Sequence, residues 1–424
     1  MSEWKKVKIG DIFSIEKGSL QSSKCTPGKY DFITAATDWK THNSYDHECE
    51  AIVYAVAASG SLGRAHYVNG KFIASDLCFI LTEKDKNQYP INFLFYQIVF
   101  EMLRDEIVSK TKTGTSKESI NCGNFSNYEI PYFPIEFQLA NYQKFVNAKN
   151  IIKNLLEESE KQKNYIKQLR QNILQNAIEG KLTADWRKQN PVQKGNSDYD
   201  AEALFEQIQK ERNNKKKQNE LSPITDEEKA FEIPEGWKWV RLGEISNKIT
   251  DGTHKTPKYT DSGIKFVSAK DIYNKELDFS HCKYISENEH KELYKRCNPE
   301  LNDLLISKSG SIGTVVLNNV TFEFSLFESL ALIKYNQSEL IPKFMNFAVQ
   351  YICNNLTVSD IKGVCVKHLH LNVLSSQTLG LPPLAEQKEI VNKVEILFAK
   401  VTTLENQIQD RKSLPDKLIF SILV

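Results

Sequence analysis

Few residues in this chain stand at spacings that perform a reaction. No G-x-x-x-x-G-K-[ST] run is present, so the sequence carries no phosphate loop of that kind. Gly60-Ser61-Leu62-Gly63 and Gly310-Ser311-Ile312-Gly313 are too short for a dinucleotide fingerprint and read as tight turns. Leu381-Pro382-Pro383-Leu384 lacks the Asn or Asp and the aromatic residue of an N/D-P-P-Y methyltransferase motif, and reads as a loop leading into a helix. Asp226-Glu227-Glu228-Lys229 has nuclease-like residue types but sits in a polar stretch without flanking strands, where a solvated charge run is expected. His368-Leu369-His370 sets two imidazoles on one face of a strand-like segment. With no third ligand in view, polar contact to a partner is favoured over a metal. Ser, Cys, His and Asp occur without a nucleophile motif around them. The expectation is a chain with no catalytic and no metal-binding residues of its own.

Recognition fits these residues better. Thr250 to Tyr259 reads T-D-G-T-H-K-T-P-K-Y, dense in short hydroxyls, Lys and His that suit phosphate and base-edge contacts, with Gly and Pro shaping the loop. It supplies Thr253, His254, Lys255, Thr256 and Lys258 as candidates. The stretch Gln21 to Lys29 supplies Ser22, Ser23 and Lys24, and Lys110 to Lys117 supplies Lys110, Lys112, Thr113, Ser116 and Lys117. Ser307 to Ser311 adds Lys308 and Ser309, and Lys40, Lys270, Lys367 and His368 complete the candidate DNA-binding set.

The elements that must hold these loops are legible from periodicity. From Phe145 the apolar positions advance in threes and fours through Ala148, Ile152, Leu155, Ser159, Gln162, Ile166, Leu169 and Ile173, a heptad seam. A helix over Glu136 to Gly180 spans on the order of 60 Å and needs a partner. The same spacing returns at Ile390, Val394, Leu397, Val401, Leu404 and Ile408. Before the first helix, Ala51–Ala58 and Phe79–Thr82 read as buried strands and Pro90–Ile107 as an amphipathic helix. Between the two halves, residues 187–233 are polar, with one short amphipathic helix through Ala201, Leu204, Phe205 and Ile208.

Residues 234–384 replay the first stretch. Trp4 to Ile12 matches Trp237 to Ile245, and the two Gly-Ser-x-Gly turns match. The helix after Pro90 matches that after Pro342, and the loop at Gly114 matches that at Gly363. The long helix after Asn141-Tyr142-Gln143 matches that after Ala385-Glu386-Gln387. A period this long is duplication of a whole domain with its helix. Two such helices pairing antiparallel place similar surfaces about a pseudo-two-fold axis, and DNA is the common partner with a matching dyad. Lys110–Lys117 is basic whereas Asp360–Lys367 is mixed, so the two copies are expected to read different half-sites.

Composition is compatible with this. The 424 residues suit two or three domains, 40% are apolar, and the net charge of +1 announces no global basic field. Eight scattered cysteines without a C-x-x-C pair read as reduced thiols in a cytoplasmic protein. Met1 to Lys6 leads into no apolar core, so no signal peptide is expected, and the longest apolar run is too short to span a bilayer.

Three stretches carry a family resemblance: I-L-Q-N-A-I-E-G-K-L-T-A-D-W-R (Ile173 to Arg187), I-P-E-G-W-K-W-V-R-L-G-E-I (Ile233 to Ile245) and L-P-P-L-A-E-Q-K-E-I-V (Leu381 to Val391). With the duplicated layout, the chain resembles the specificity subunit of type I restriction–modification systems across essentially its whole length. The resemblance implies an α+β protein with two duplicated α/β target recognition domains, separated by two long antiparallel helices that form a coiled coil. Expected boundaries are 1–135 and 234–384 for the recognition domains, 136–182 and 385–424 for the helices, and 183–233 for a charged connector. It further implies double-stranded DNA as partner, each domain reading half of a split asymmetric target, and no membrane. Two methyltransferase subunits would dock on the helices and restriction subunits would join them. S-adenosylmethionine, ATP and magnesium would belong to those partners, with the methylated adenine flipped into the partner's pocket. The rival readings are a fused enzyme with its own catalysis and a protein-only coiled-coil adaptor. One departure concerns Pro415, inside the second helix pattern, with Val424 aligned to Gly180. Proline there predicts a kink, while Leu418 and Ile422 keep the seam.

Overall fold

Each copy is closed by pairing its first strand with its last. In the computed structural model Lys6–Lys8 pairs antiparallel with Glu129–Pro131, and Lys238–Arg241 with Thr378–Leu381. The structure describes residues 4–58, 60–114, 118–213, 221–357, 361–362 and 368–411. They pack as two compact units, one from residues up to 164 with 406–411, the other from 165–405. Ser116, Lys117, Lys367, Pro415, Leu418 and Ile422 lie outside the described residues.

In the first unit six strands form one sheet in the order Phe13–Lys17, Cys78–Glu83, His47–Ala55, Ala65–Ala74, Tyr30–Ile33, Lys40–His42. All neighbours are antiparallel except Tyr30–Ile33 against Ala65–Ala74. The central strand is apolar without alternation because both of its faces are buried. Ile52 and Tyr54 enter one core with Phe13, Tyr96, Phe100 and Phe125, while Ala51, Val53 and Ala55 enter another with Val68, Cys78 and Ile80. Each fully buried aromatic side chain contributes roughly 2–3 kcal/mol. The helix expected over Pro90–Ile107 is two helices, Phe93–Met102 and Arg104–Thr111, divided at Leu103. Asn92 caps the first, its side chain accepting from Phe95 N at 2.9 Å, so the helix opens three residues after Pro90.

The second copy keeps this plan with an interruption. Lys248–Asp251, Leu330–Lys334, Leu304–Ser307 and Val315–Leu317 form one antiparallel sheet. The counterpart of Ala65–Ala74 is split into Val315–Leu317 and Ser325–Leu326, and the latter retains the parallel neighbour, Ile264–Val267. Three antiparallel pairings and the helix Glu287–Arg296 precede Leu304.

A repeated glutamine sets how each copy meets its long helix. Gln138 accepts from Asn92 N (2.6 Å) and donates to Phe133 O (2.6 Å) and Pro90 O (3.0 Å). Gln387 accepts from Ile341 N (3.0 Å) and donates to Pro382 O (3.2 Å). Both are fully buried. Gln387 is therefore the counterpart of Gln138, and the match to Gln143 slips by five residues, because Asn141-Tyr142-Gln143 resembles the motif only in composition.

The long helices run Ile135–Ile178 and Leu384–Arg411. Within 165–405 they pair antiparallel: Arg170 reaches Glu405 (2.7 and 3.1 Å) and Thr402 (3.0 Å), and Lys393 reaches Leu182 O (2.9 Å). Phe145 is buried in the aromatic core of the first copy, against Phe95 and Phe133, rather than in the seam. Ile166 and Ile173 are buried as the seam requires, and so are Ile390, Val394 and Val401. Leu169 and Leu404 are not, at 40% and 44% exposed. Arg170 takes that layer by stacking on Phe398 and pairing with Glu405, which turns both leucines outward.

The first helix ends where Gly180 adopts a left-handed conformation (φ 73°), against Pro234 and Trp237. There the three resemblance stretches converge on one carboxylate. Glu386, 1% exposed, accepts from Thr183 Oγ1 (2.6 Å), Trp237 Nε1 (2.7 Å) and Arg187 Nη1. Glu386→Ala is expected to cost about 3 kcal/mol in urea unfolding, because Arg187 and Trp237 lose a shared acceptor.

The connector helix Ala201–Asn213 also packs into the second unit, and Asn336 Nδ2 donates to its Glu211. Beside it Glu339 is buried, and burial together with the Glu211 charge pushes its carboxyl up to about 7. The folded chain thus binds this proton more tightly than the unfolded chain, so stability falls as pH rises from 4.5 through about 7. Thermal melts are expected to show Tm dropping across that window, and Glu339→Gln to remove this part of the drop.

Candidate nucleic-acid interface

In both copies the same backbone hydrogen bonds tie three loops to one rim. Gly18 N donates to Cys78 O (3.0 Å), and Gly252 N to Leu330 O (3.3 Å). Asp76 N donates to Leu20 O (3.1 Å), and Glu328 N to Thr253 O (3.0 Å). Ser75 N donates to Ile33 O (2.8 Å), and Phe327 N to Val267 O (2.9 Å). Val56 N meets Leu77 O (2.9 Å) as Lys308 N meets Ser329 O (2.8 Å), and Ile120 N meets Val56 O (2.8 Å) as Leu369 N meets Lys308 O (3.1 Å). The loop after Gly18 or Gly252, the Gly-Ser-x-Gly turn and the ribbon before the long helix are thereby held side by side. Gly60, Gly63, Gly310 and Gly313 all have positive φ, as tight turns require.

The candidates of the first copy mostly reach this rim. Ser22, Ser23 and Lys24 form an exposed turn. Its continuation is stitched to the edge strand Lys40–His42 by Cys25 Sγ to Thr41 O (3.3 Å) and Thr26 N to His42 Nδ1 (3.0 Å), which brings exposed Lys40 close. Lys110, Lys112 and Thr113 are exposed, and Lys112 is paired with Glu118 at 2.7 Å. Arg104, which no motif or spacing singles out, braces the turn through Leu62 O (2.7 Å) and Gly60 O (3.2 Å). Arg64 does the same for the neighbouring loop through Ala35 O (2.7 Å).

In the second copy His254, Lys255, Thr256 and Lys258 are exposed, and Thr253 Oγ1 turns the loop by accepting from Lys255 N (3.2 Å). Lys270 is exposed on a turn linked to Ser329 through Ala269 N (3.0 Å). Ser309 and His368 are half-buried, and no metal-type cluster of three ligands surrounds His368 or His370 among the described residues. Lys308 departs from expectation. It is 7% exposed and its ammonium is paired with Asp251, itself 5% exposed, so it faces inward. Arg296, from the inserted helix, also reaches Asp251 Oδ1 (2.6 Å) and O (2.8 Å) and Gly252 O (2.7 Å).

Two arrangements resemble catalytic ones. Ser325 Oγ lies 2.9 Å from His290 Nδ1, and Glu323 lies 3.0 Å from His290 Nε2, but Ser325 has no exposed surface for a substrate to approach. In Asp226–Glu228, Glu228 is bonded to Arg241 (2.8 and 2.9 Å), which holds its carboxyl down at about 2. That carboxylate is structural, fixing the connector to the second copy. Burial pushes the Cys78, Cys297 and Cys353 thiols up to about 12, away from nucleophilic use. Among the described residues no helix is long and apolar enough to cross a membrane.

The rim leaves no room at its repeated glycines. A Cβ on Gly18 would lie 2.1 Å from Ser75 O, and one on Gly252 would lie 2.0 Å from Leu326 O. Gly252→Ala is expected to open the crossing and raise amide exchange in residues 253–258, leaving 19–28 as protected as before. Overpacking of this kind costs about 1–3 kcal/mol, readable by hydrogen-exchange mass spectrometry and thermal melts.

Comparison with known proteins agrees with this duplicated geometry. The family model for the type I restriction modification DNA specificity domain matches residues 1–175 and 234–411, one segment per copy. The chain is 29% identical over 195 residues to the type I restriction enzyme EcoBI specificity subunit of Escherichia coli, covering 45% of this chain and 41% of that protein. It is 28% identical over 252 residues to the EcoAI specificity subunit of the same organism, covering 58% and 42%. With the EcoDI specificity subunit, also from Escherichia coli, it is 22% identical over 439 residues, covering 99% and 87%. The chain thus spans about two fifths of the length of the first two relatives and most of the third. A solved structure described as the basis of "complex assembly andconformational transition of the type I R-M system" shares the fold, with a TM-score of 0.57, 15% identity, and 99% and 96% of the two chains covered. The chain belongs to the type I restriction modification DNA specificity domain family.

Proposed function

We propose that this chain is a non-catalytic reader of double-stranded DNA, each copy recognising one half of a bipartite, asymmetric target. The observation carrying this reading is the rim: one hydrogen-bonded frame, built twice, presents loops of different sequence. A shared frame fixes where the loops approach the duplex, and divergent side chains read different bases. The relatives' designation as specificity subunits of restriction enzymes points the same way.

The helices suit a docking role for two methyltransferase subunits. On antiparallel helices the positions preceding a facing pair lie on one side, so Leu169 and Leu404 share a face beside Arg170 and Glu405. Tyr165, one turn earlier, is 64% exposed. Exposed apolar residues grouped in this way mark a protein-binding surface. In this reading restriction subunits join the methyltransferases, and S-adenosylmethionine, ATP and magnesium serve those partners in the cytoplasm.

The test is exchange of residues 234–384 for the equivalent domain of another such subunit, followed by sequencing of methylated bases from cells making the whole system. One half of the target is expected to change; a change in both halves would refute independent reading. In the purified complex, Lys255→Ala is expected to weaken binding at all sequences and reduce the salt slope by ~1. Methyl transfer by the isolated chain would instead favour the fused-enzyme reading.

A further inference from the structure

The second copy contains a charge cluster for which the first has no counterpart. Matching the rim hydrogen bonds aligns Gly18 with Gly252 and Val56 with Lys308, so Lys17 stands where the second copy has Asp251. Lys17 is exposed and Val56 is buried among apolar side chains, so the first copy cannot form this pair. In the second copy Asp251 gathers Lys308 from the Gly-Ser-x-Gly segment and Arg296 from the inserted helix. His254, from the recognition loop itself, has Nε2 3.3 Å from Asp251 Oδ1 and Nδ1 3.1 Å from Glu328. Arg296 also closes on the carbonyls of Asp251 and Gly252, the residues that launch the loop.

We propose that Asp251, Lys308 and Arg296 form a charge lock that positions residues 253–258 of the second copy, making Lys308 a specificity-positioning residue rather than a phosphate contact. This rests on the DNA-reading function proposed above and adds an asymmetry to it. A buried ion pair is weak evidence for stability, since an apolar replacement of both partners is often neutral, but it fixes one arrangement of the segments that contribute to it. Three segments distant in sequence meet at Asp251, and the loop is tethered to that meeting point by His254 on Asp251 and by Arg296 on Gly252 O. Among its described residues the first copy sets its loop without a buried ion pair, by backbone hydrogen bonds and by side-chain bonds such as Ser19 Oγ to Asp46 (2.5 Å) and Thr26 N to His42 Nδ1 (3.0 Å).

The experiment compares Lys308→Met with the double variant Asp251→Asn/Lys308→Met, each as the full chain in complex with its methyltransferase subunits. Lys308→Met is expected to lower Tm, and the double variant to recover it, because no unpaired buried charge remains. In the double variant discrimination against single-base changes is expected to fall about tenfold or more in the half-site assigned to residues 234–384, with the other half-site read as before. Amide exchange of 253–258 in the DNA-free chain is expected to rise about tenfold, with 21–28 unchanged. Unchanged exchange in 253–258 would overturn the lock whatever the DNA result, including absence of sequence-dependent binding by the parent complex, which would separately sink the DNA-reading function. A double variant that reads both halves like the parent would reduce the cluster to a stabilising role. Uniformly weaker binding with a salt slope smaller by ~1 and intact discrimination would return Lys308 to a phosphate contact.

Discussion

A carboxylate at 1% exposure is tolerated only where donors replace its water, and Glu386 has three from two directions in the chain. Thr183 and Arg187 come from the turn and short helix that follow the first long helix, and Trp237 from the start of the second copy. Glu386 lies in the first turn of its own helix, where the helix dipole favours negative charge. The end of one helix, the connector and the start of the other are therefore fixed by one group. The antiparallel pairing of 165–182 with the second helix follows from that junction, since both helices diverge from it in a set register. The first copy solves the same problem without charge. Phe137 stands at the position of Glu386, and Trp4 packs on it with ring centroids 4.6 Å apart. The tryptophan is kept while its partner changes from a ring to a carboxylate.

Duplication preserved backbone geometry more strictly than side-chain chemistry. The rim hydrogen bonds recur pair by pair, and the glycines at its crossing recur because a carbonyl oxygen occupies the space of a Cβ. Around that frame the side chains differ: Val56 stands where the second copy has Lys308, and the inserted helix places Arg296 beside Asp251. A frame held by main-chain bonds tolerates such exchange, since loop side chains contribute little to it. That tolerance is what the proposed reading of two unlike half-sites requires.

Much of this was legible in the sequence, and the failures share a cause. Apolar runs located the central strand, and the tandem landmarks showed the duplication, because both are local patterns. The seam failed at Leu169 because counting by sevens assigns positions by residue type, whereas Arg170 can bury its guanidinium on Phe398 when Glu405 stands opposite. Lys308 looked like a phosphate contact because its partner, Asp251, is 57 residues away. Spacing does not distinguish Gln138 from Asn141 and Gln143, because its role lies in joining Asn92 and Phe133. A polar residue near the surface in sequence terms is assigned by its long-range partner, and single-sequence periodicity does not contain that partner.

The displaced leucines show how one long-range pair also shapes an outer surface. Two leucines facing each other across the helices would bury apolar area and stabilise the pair by about 1.5–3 kcal/mol per side chain. The Arg170–Glu405 layer forgoes that gain, since a partly exposed ion pair contributes about 1 kcal/mol or less. Stability of the isolated chain therefore does not explain the arrangement. It gives the helix pair a fixed register, as polar layers in coiled coils do, and it turns Leu169 and Leu404 outward on one side. An apolar face that costs the free chain stability is accounted for when a partner covers it, which ties the partly exposed Arg170–Glu405 layer to the docking face proposed for the helices.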